Sequence, residues 1–138
     1  AGVLSGCSTD ELDALYQFGR QLGLAFQVVD DILDFTGNDQ QLGKPAASDL
    51  ASGYLTAPCF YAMEEHPELK ALIKTEFSEE GDLEQALSMV RSSRAIPRTH
   101  ELAETFARES RESIAWLPDS SYKRALLELP DFVLSRLS

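Results

Sequence analysis

The sequence predicts an all-α protein, and three observations lead there. Apolar residues recur at helical spacing along the chain. No segment shows the strict apolar–polar alternation of a half-buried strand. Helix-starting and helix-stopping residues, among them Ser8, Gly37, Pro67, Gly81 and Pro97, divide the chain into helix-sized pieces. The 138 residues and 15.2 kDa fit one domain spanning 1–138. Apolar residues make up 43% and charged residues 25%, enough to build a core and too apolar for a disordered chain.

The elements follow in order. Ser8-Thr9-Asp10-Glu11 reads as a capping box, with Ser8 over the first free amides and Glu11 reaching back. Leu12, Leu15, Tyr16, Leu22, Phe26, Val29 and Leu33 then keep helical register. Gly37 stops the run, giving one long helix over about 9–36. From Leu22 to Phe35 this helix is apolar on nearly every side, so it is expected to be enclosed by other helices. The segment 37–53 is rich in Gly, Pro, Asp, Asn and Ser and reads as a long functional loop, extending with its exit to residue 58. Helices are expected over 59–138. The first has Pro58 near its first turn and runs through Met63. Another opens at Pro67 and runs to Phe77. A third starts at Gly81-Asp82, with Leu83, Ala86, Leu87 and Val90 on one face. A fourth runs from Pro97 to about Leu117. The last is capped by Asp119 and bent or split by Pro130.

Composition excludes several classes of function. Twelve basic and 23 acidic residues give a net charge of −11. So acidic a surface repels nucleic-acid phosphates and anionic membranes. No apolar run is long enough to span a bilayer, so no transmembrane segment is expected. Cys7 and Cys59 suit neither a CxxC site nor a disulfide framework and read as reduced, buried thiols. Ala1 is not preceded by Met and no signal-like segment follows, which reads as a start inside a longer protein.

The chemistry is concentrated between Gly23 and Pro58. Asp30, Asp31 and Asp34 sit in the most apolar stretch of the chain. Asp is a poor interior helix former, and burying unpaired carboxylates is costly. Asp30 and Asp34 are i, i+4, and Asp31 and Asp34 are i, i+3, so the three repel unless a cation intervenes. A plain solvated polar face is the alternative, and the apolar neighbours argue against it. A hard divalent ion with oxygen ligands resolves the repulsion, and Mg²⁺ is the usual choice where a phosphate shares the site. Lys44, in Leu42-Gly43-Lys44-Pro45, would neutralise phosphate oxygens and stabilise a leaving diphosphate. Taken alone it would be an ordinary solvated Lys. Asp49 and Thr56 either tie the loop to the next helix or make only local capping bonds.

These residues carry a resemblance. Gly23-Leu-Ala-Phe-Gln-Val-Val-Asp-Asp-Ile-Leu-Asp34 resembles the second aspartate-rich motif of the trans-isoprenyl diphosphate synthases. The Gly43-Lys44 loop, Asp49-Leu50 and the turn Gly53-Tyr54-Leu55-Thr56-Ala57-Pro58 follow in the family's order. The flanking helices are also similar to the family's C-terminal half, and the subgroup most alike is the polyprenyl, solanesyl-type synthases. The resemblance implies the C-terminal part of the isoprenoid synthase fold, an all-α bundle around a deep cavity. There, two aspartate-rich helices hold Mg²⁺ ions on an allylic diphosphate. It implies Asp30 as the main Mg²⁺ ligand, with Asp31 and Asp34 completing the carboxylate patch partly through water. It implies Gln27 beside the diphosphate, Phe26 lining the isoprenoid cavity and Lys44 on the allylic diphosphate; Asp30, Asp31 and Lys44 are the catalytic set. The implied reaction is elongation of an allylic prenyl diphosphate by isopentenyl diphosphate, in a homodimer of the cytoplasm or plastid stroma.

Two departures from the family pattern stand out. The first aspartate-rich motif and the basic residues that bind isopentenyl diphosphate are absent, so the chain reads as a C-terminal fragment or half of a split enzyme, inactive by itself. Tyr54 stands where many members carry a second diphosphate-binding Lys, and a phenol donates one hydrogen bond without charge. The competing readings are a non-catalytic prenyl-synthase-like subunit, a helical interaction module and a terpene cyclase. The Phe26-Gln27 pair and the Lys44 loop speak against the cyclase. His66 and His100 are isolated and read as solvated or capping residues. Trp116 reads as core. Arg124 and Arg136 read as helix-end charges rather than phosphate ligands.

Overall fold

The computed structural model describes residues 1–37 and 47–137, and every regular element among them is helical. A 3₁₀ turn at Gly2–Ser5 precedes α1, Thr9–Thr36. Then come α2, Ser48–Ala51, α3, Ala57–Glu65, α4, Leu69–Lys74, and α5, Asp82–Ser92. The long α6, Ala95–Ser113, and α7, Ser121–Leu134, complete the chain with a 3₁₀ turn at Ser135–Leu137. The chain divides into two compact units, Ala1–Val29 with Leu102–Ser138, and Asp30–Glu101.

In the unit Asp30–Glu101, α3, α4 and α5 pack pairwise. Phe35, Leu50, Cys59, Ala62, Leu69, Ala86, Val90 and Ala95 form one fully buried cluster. Each large side chain so buried contributes roughly 1.5–3 kcal/mol relative to exposure. Ala86 and Val90 come from the stripe expected on α5, and Pro58 occupies the first turn of α3, where its missing N–H leaves no bond unmade. At the periphery the Arg98 guanidinium lies 4.1 Å from the Tyr61 ring centroid and pairs with Glu64 at 2.6 Å.

In the unit Ala1–Val29 with Leu102–Ser138, the capping box forms as its sequence predicts. Ser8 N–H donates to Glu11 Oε2 at 2.7 Å, and Glu11 N–H donates to Ser8 Oγ at 3.3 Å. The buried residues here are mostly small: Ala25, Val28, Val29, Ala103, Ala107 and Ser110. Small side chains let backbones approach. Ser110 Oγ accordingly donates to the Phe18 carbonyl at 3.1 Å, and Gln21 Nε2 donates to Glu109 Oε2 at 2.8 Å. Lys123 Nζ donates to the Ala115 and Leu117 carbonyls at 2.8 and 2.6 Å, which are left open where α6 ends.

Several expectations are corrected. Ala25, Val28, Val29, Ile32 and Phe35 of α1 are buried, whereas within this chain Gly23, Phe26 and Gln27 face outward. Residues 23, 26 and 27 share one side of the helix. Residues 48–51, expected in a loop, form the single turn α2. α6 starts at Ala95 rather than Pro97, because Ser93 Oγ accepts from the Ala95 N–H at 3.1 Å and Pro97 fits within the first turn. Ser120, not Asp119, caps α7, its Oγ accepting from the Lys123 N–H at 3.1 Å. Trp116, expected in the core, is exposed.

Candidate functional site

The three aspartates occupy the last turns of α1. Asp30 is half-buried, whereas Asp31 and Asp34 are only 7% and 2% exposed. Carboxylates this deep need donors. Ser48 Oγ donates to Asp34 Oδ1 and the Asp49 N–H donates to Asp34 Oδ2, each at 3.2 Å. The Ala47 N–H donates to the Asp34 carbonyl at 2.7 Å. A single residue thus receives three bonds from Ala47–Asp49. Arg91 Nε, from the last turn of α5, donates to the Phe35 carbonyl at 3.1 Å. A cation there complements the negative end of the helix dipole.

Asp49, expected either to tie the segment before it to the next helix or to make local capping bonds, bonds to both sides through its backbone. Its N–H meets Asp34, and its carbonyl accepts from the Tyr54 N–H at 2.8 Å. Tyr54 itself is exposed. Thr56 is the N-cap residue of α3 through its carbonyl, which accepts from the Cys59 N–H at 3.0 Å; its hydroxyl caps no amide. Burial pushes the Cys59 thiol above its ordinary value, Thr56 beside it pulls the other way, and the charges of Asp31 and Asp34 add smaller upward pushes. Asp31, Asp34 and Cys59 therefore share one electrostatic environment.

Phe26 and Gln27, in the unit Ala1–Val29 with Leu102–Ser138, are both exposed, Phe26 at 47%. The Arg136 guanidinium lies 4.6 Å from the Phe26 ring centroid, a cation–π contact. Lys44 lies outside the described residues. Ser48, Arg91 and Arg136 are the contributors that sequence reasoning missed as local contacts. Only the Ser48-Asp49 pair had a readable signal, as hydroxyl and carboxylate donors and acceptors at the return of a loop.

Chemically the aspartates suit a hard cation. They offer only carboxylate oxygens, closely spaced on one helix, beside an apolar core. Among the described residues no three His, Cys, Asp or Glu side chains converge into a preformed cage. That donor set fits Mg²⁺, which keeps several waters and is commonly held by one or two carboxylates together with substrate phosphates.

An all-α chain with an aspartate-bearing apolar helix, followed by a clasped return at Ala47–Asp49, defines a class of helical, carboxylate-site proteins. Comparison with known proteins narrows the class. The sequence model of the polyprenyl synthetase family matches residues 1–90. A prenyl transferase of Synechocystis sp. is 53% identical over 99% of this chain and 42% of its own length. An apo medium/long-chain prenyl pyrophosphate synthase of Arabidopsis superposes with a TM-score of 0.87 at 36% identity, over 99% of this chain and 48% of that one. A polyprenyl synthase of Caulobacter crescentus, complexed with calcium and isoprenyl diphosphate, gives a TM-score of 0.84 at 33% identity, over 99% of this chain and 43% of that one. This chain belongs to the polyprenyl synthetase family. It spans less than half the length of these relatives.

Proposed function

We propose that this chain supplies the second carboxylate set of a Mg²⁺-dependent prenyltransferase, which elongates an allylic diphosphate with isopentenyl diphosphate. The observation that carries the reading is the pair of buried aspartates on an apolar helix, inside the region matched by the polyprenyl synthetase family. The Caulobacter relative, complexed with a divalent cation and isoprenyl diphosphate, supports it.

Asp30 and Asp31 would hold the cation, and Asp34 completes the carboxylate patch. Mg²⁺, when bound, supplies positive charge to the leaving diphosphate. Lys44 neutralises diphosphate oxygens, and Gln27 orients the group beside it. Phe26 offers an apolar face to the isoprenoid chain and helps exclude water from a developing allylic cation. The carbon–oxygen bond of the allylic diphosphate breaks, the double bond of isopentenyl diphosphate attacks the cation, and the departed pyrophosphate takes the proton. No protein general base is assigned. The active species is a homodimer of a family-length chain.

Asp30→Ala in a family-length enzyme carrying this sequence tests the reading. Turnover should fall about 10²–10³-fold, the usual cost of removing a preorganised electrostatic group. The metal-free melting temperature should stay unchanged or rise slightly, because a repelling carboxylate is gone. Full activity together with a much lower melt would overturn the assignment.

A further inference from the structure

We infer that Asp34 is a positioning residue, which clasps the returning chain at Ala47–Asp49 to the end of α1 through hydrogen-bond geometry rather than through its charge. The geometry is specific. Both carboxylate oxygens accept bonds from the return segment, from Ser48 Oγ and from the Asp49 N–H at 3.2 Å each. The backbone of the same residue accepts from the Ala47 N–H at 2.7 Å. The side chain is 2% exposed, and its neighbours Phe35, Ala47 and Leu50 are fully buried in the core cluster. Ala47 adopts a left-handed conformation at φ 54°, a strained backbone that persists only where its surroundings over-determine it. Three bonds converging from successive residues provide that determination.

The clasp deepens the proposed function and, in its contrast with Asp30 and Asp31, rests on it. Those two carboxylates would engage the cation, while Asp34, beside them in the carboxylate patch, fixes the position of Ala47–Asp49 against the end of α1. The division of labour resembles a metal site in which partners one step removed from the ion orient what surrounds it.

An Asn at this position separates the two roles. Its carbonyl still accepts from the Asp49 N–H, and its amide can donate to Ser48 Oγ, so the clasp survives without charge. In metal-free buffer, Asp34→Ala should lower the melting temperature of the chain by about 3–8 °C, and Ser48→Ala by less, since one bond remains. Asp34→Asn should restore the melt to within about 1–2 °C of the unsubstituted chain, a rescue that a residue acting by charge would not give. Asp34→Asn melting as low as Asp34→Ala would overturn the inference. So would an unchanged melt in Asp34→Ala and Ser48→Ala. A separate titration with Mg²⁺ and inorganic pyrophosphate, followed by the same melt, addresses the cation. There Asp30→Asn should lose the stabilisation that the unsubstituted chain shows. If a family-length enzyme carrying this sequence shows no response to the pair, the cation reading fails, and the metal-free melts still decide the clasp.

Discussion

The unit Asp30–Glu101 buries more of its large apolar side chains than the unit Ala1–Val29 with Leu102–Ser138, although Tyr54 and Phe60 of the first are exposed. The first buries Phe35, Leu50 and Leu69 completely in one cluster. The second buries Ile114 but otherwise mostly alanines, valines and a serine, and leaves Leu4, Tyr16, Phe26, Trp116, Tyr122, Leu129 and Phe132 exposed. Scattered exposed apolar residues mean little. Tyr122, Leu129 and Phe132, however, lie seven and three residues apart along one side of α7. The lesson is that the unit carrying the aspartates closes its own core and can hold a fixed geometry for chemistry. The other unit leaves Tyr122, Leu129 and Phe132 exposed on one side of α7.

Paired truncations sharpen that contrast most. Phe35→Ala should cost about 3–5 kcal/mol, the range for removing a buried aromatic side chain. Phe132→Ala, at a residue 68% exposed, should stay within about 0.5 kcal/mol. Denaturant melts of the two variants measure both, and equal losses would erase the distinction. The exposed side of α7 should also make the isolated chain self-associate at tens of micromolar, roughly the range where weak apolar contacts populate. Sedimentation of the chain beside Phe132→Glu checks this, the substituted chain being expected to shift toward monomer.

Smaller effects probe the ends of the same comparison. Ser8→Ala should cost about 0.5–1 kcal/mol through loss of the capping box, read as a lower midpoint with unchanged cooperativity. The Cys59 thiol contributes a pH-dependent increment in the other unit. Its folded value is raised, so the increment is complete at neutral pH, where both states are protonated. It fades as pH rises past the ordinary value of 9.0, where the unfolded chain ionises first and the folded thiol follows. Melts of Cys59→Ala and the unsubstituted chain should therefore converge in part between neutral and alkaline pH, after subtraction of the constant packing loss. Thiol labelling should reach Cys7, which is partly exposed, before Cys59.

Much of this was legible in the residues. α1 could be read end to end because a capping box and a Gly bracket a continuous helical period. The aspartates stood out because carboxylates in an apolar helix violate the local pattern. The burial of Asp31 and Asp34 and the clasp on Asp34 were not legible, since they depend on residues 13–15 positions later returning to the helix end. α2 escaped detection for a similar reason: a one-turn helix entered through a left-handed Ala has no periodicity to detect. The capping role of Ser120 over Asp119 was a choice between adjacent, equally suitable residues, decided by backbone geometry at one position. Trp116 was misjudged because α6 ends at Ser113, so the Trp lies beyond the helical register that would have turned it inward.

The turn that ends α4 carries a consequence for how this sequence tolerates change. Glu76 and Phe77 are successive left-handed residues at φ 53° and 55°, with their N–H groups bonded back to the carbonyls of Ile73 and Leu72. Neither side chain favours that backbone, which glycine or asparagine adopts more readily. Phe77 is also a partly buried neighbour of the core, so its ring has a packing role that glycine could not fill. The two positions should therefore diverge under random substitution. Site 76 would accumulate Gly and Asn and reject β-branched residues, while site 77 would keep large apolar residues despite the backbone cost. In a library of variants scored for soluble expression, this corner would stand out as a place where conformational and packing preferences select opposite alphabets at adjacent positions.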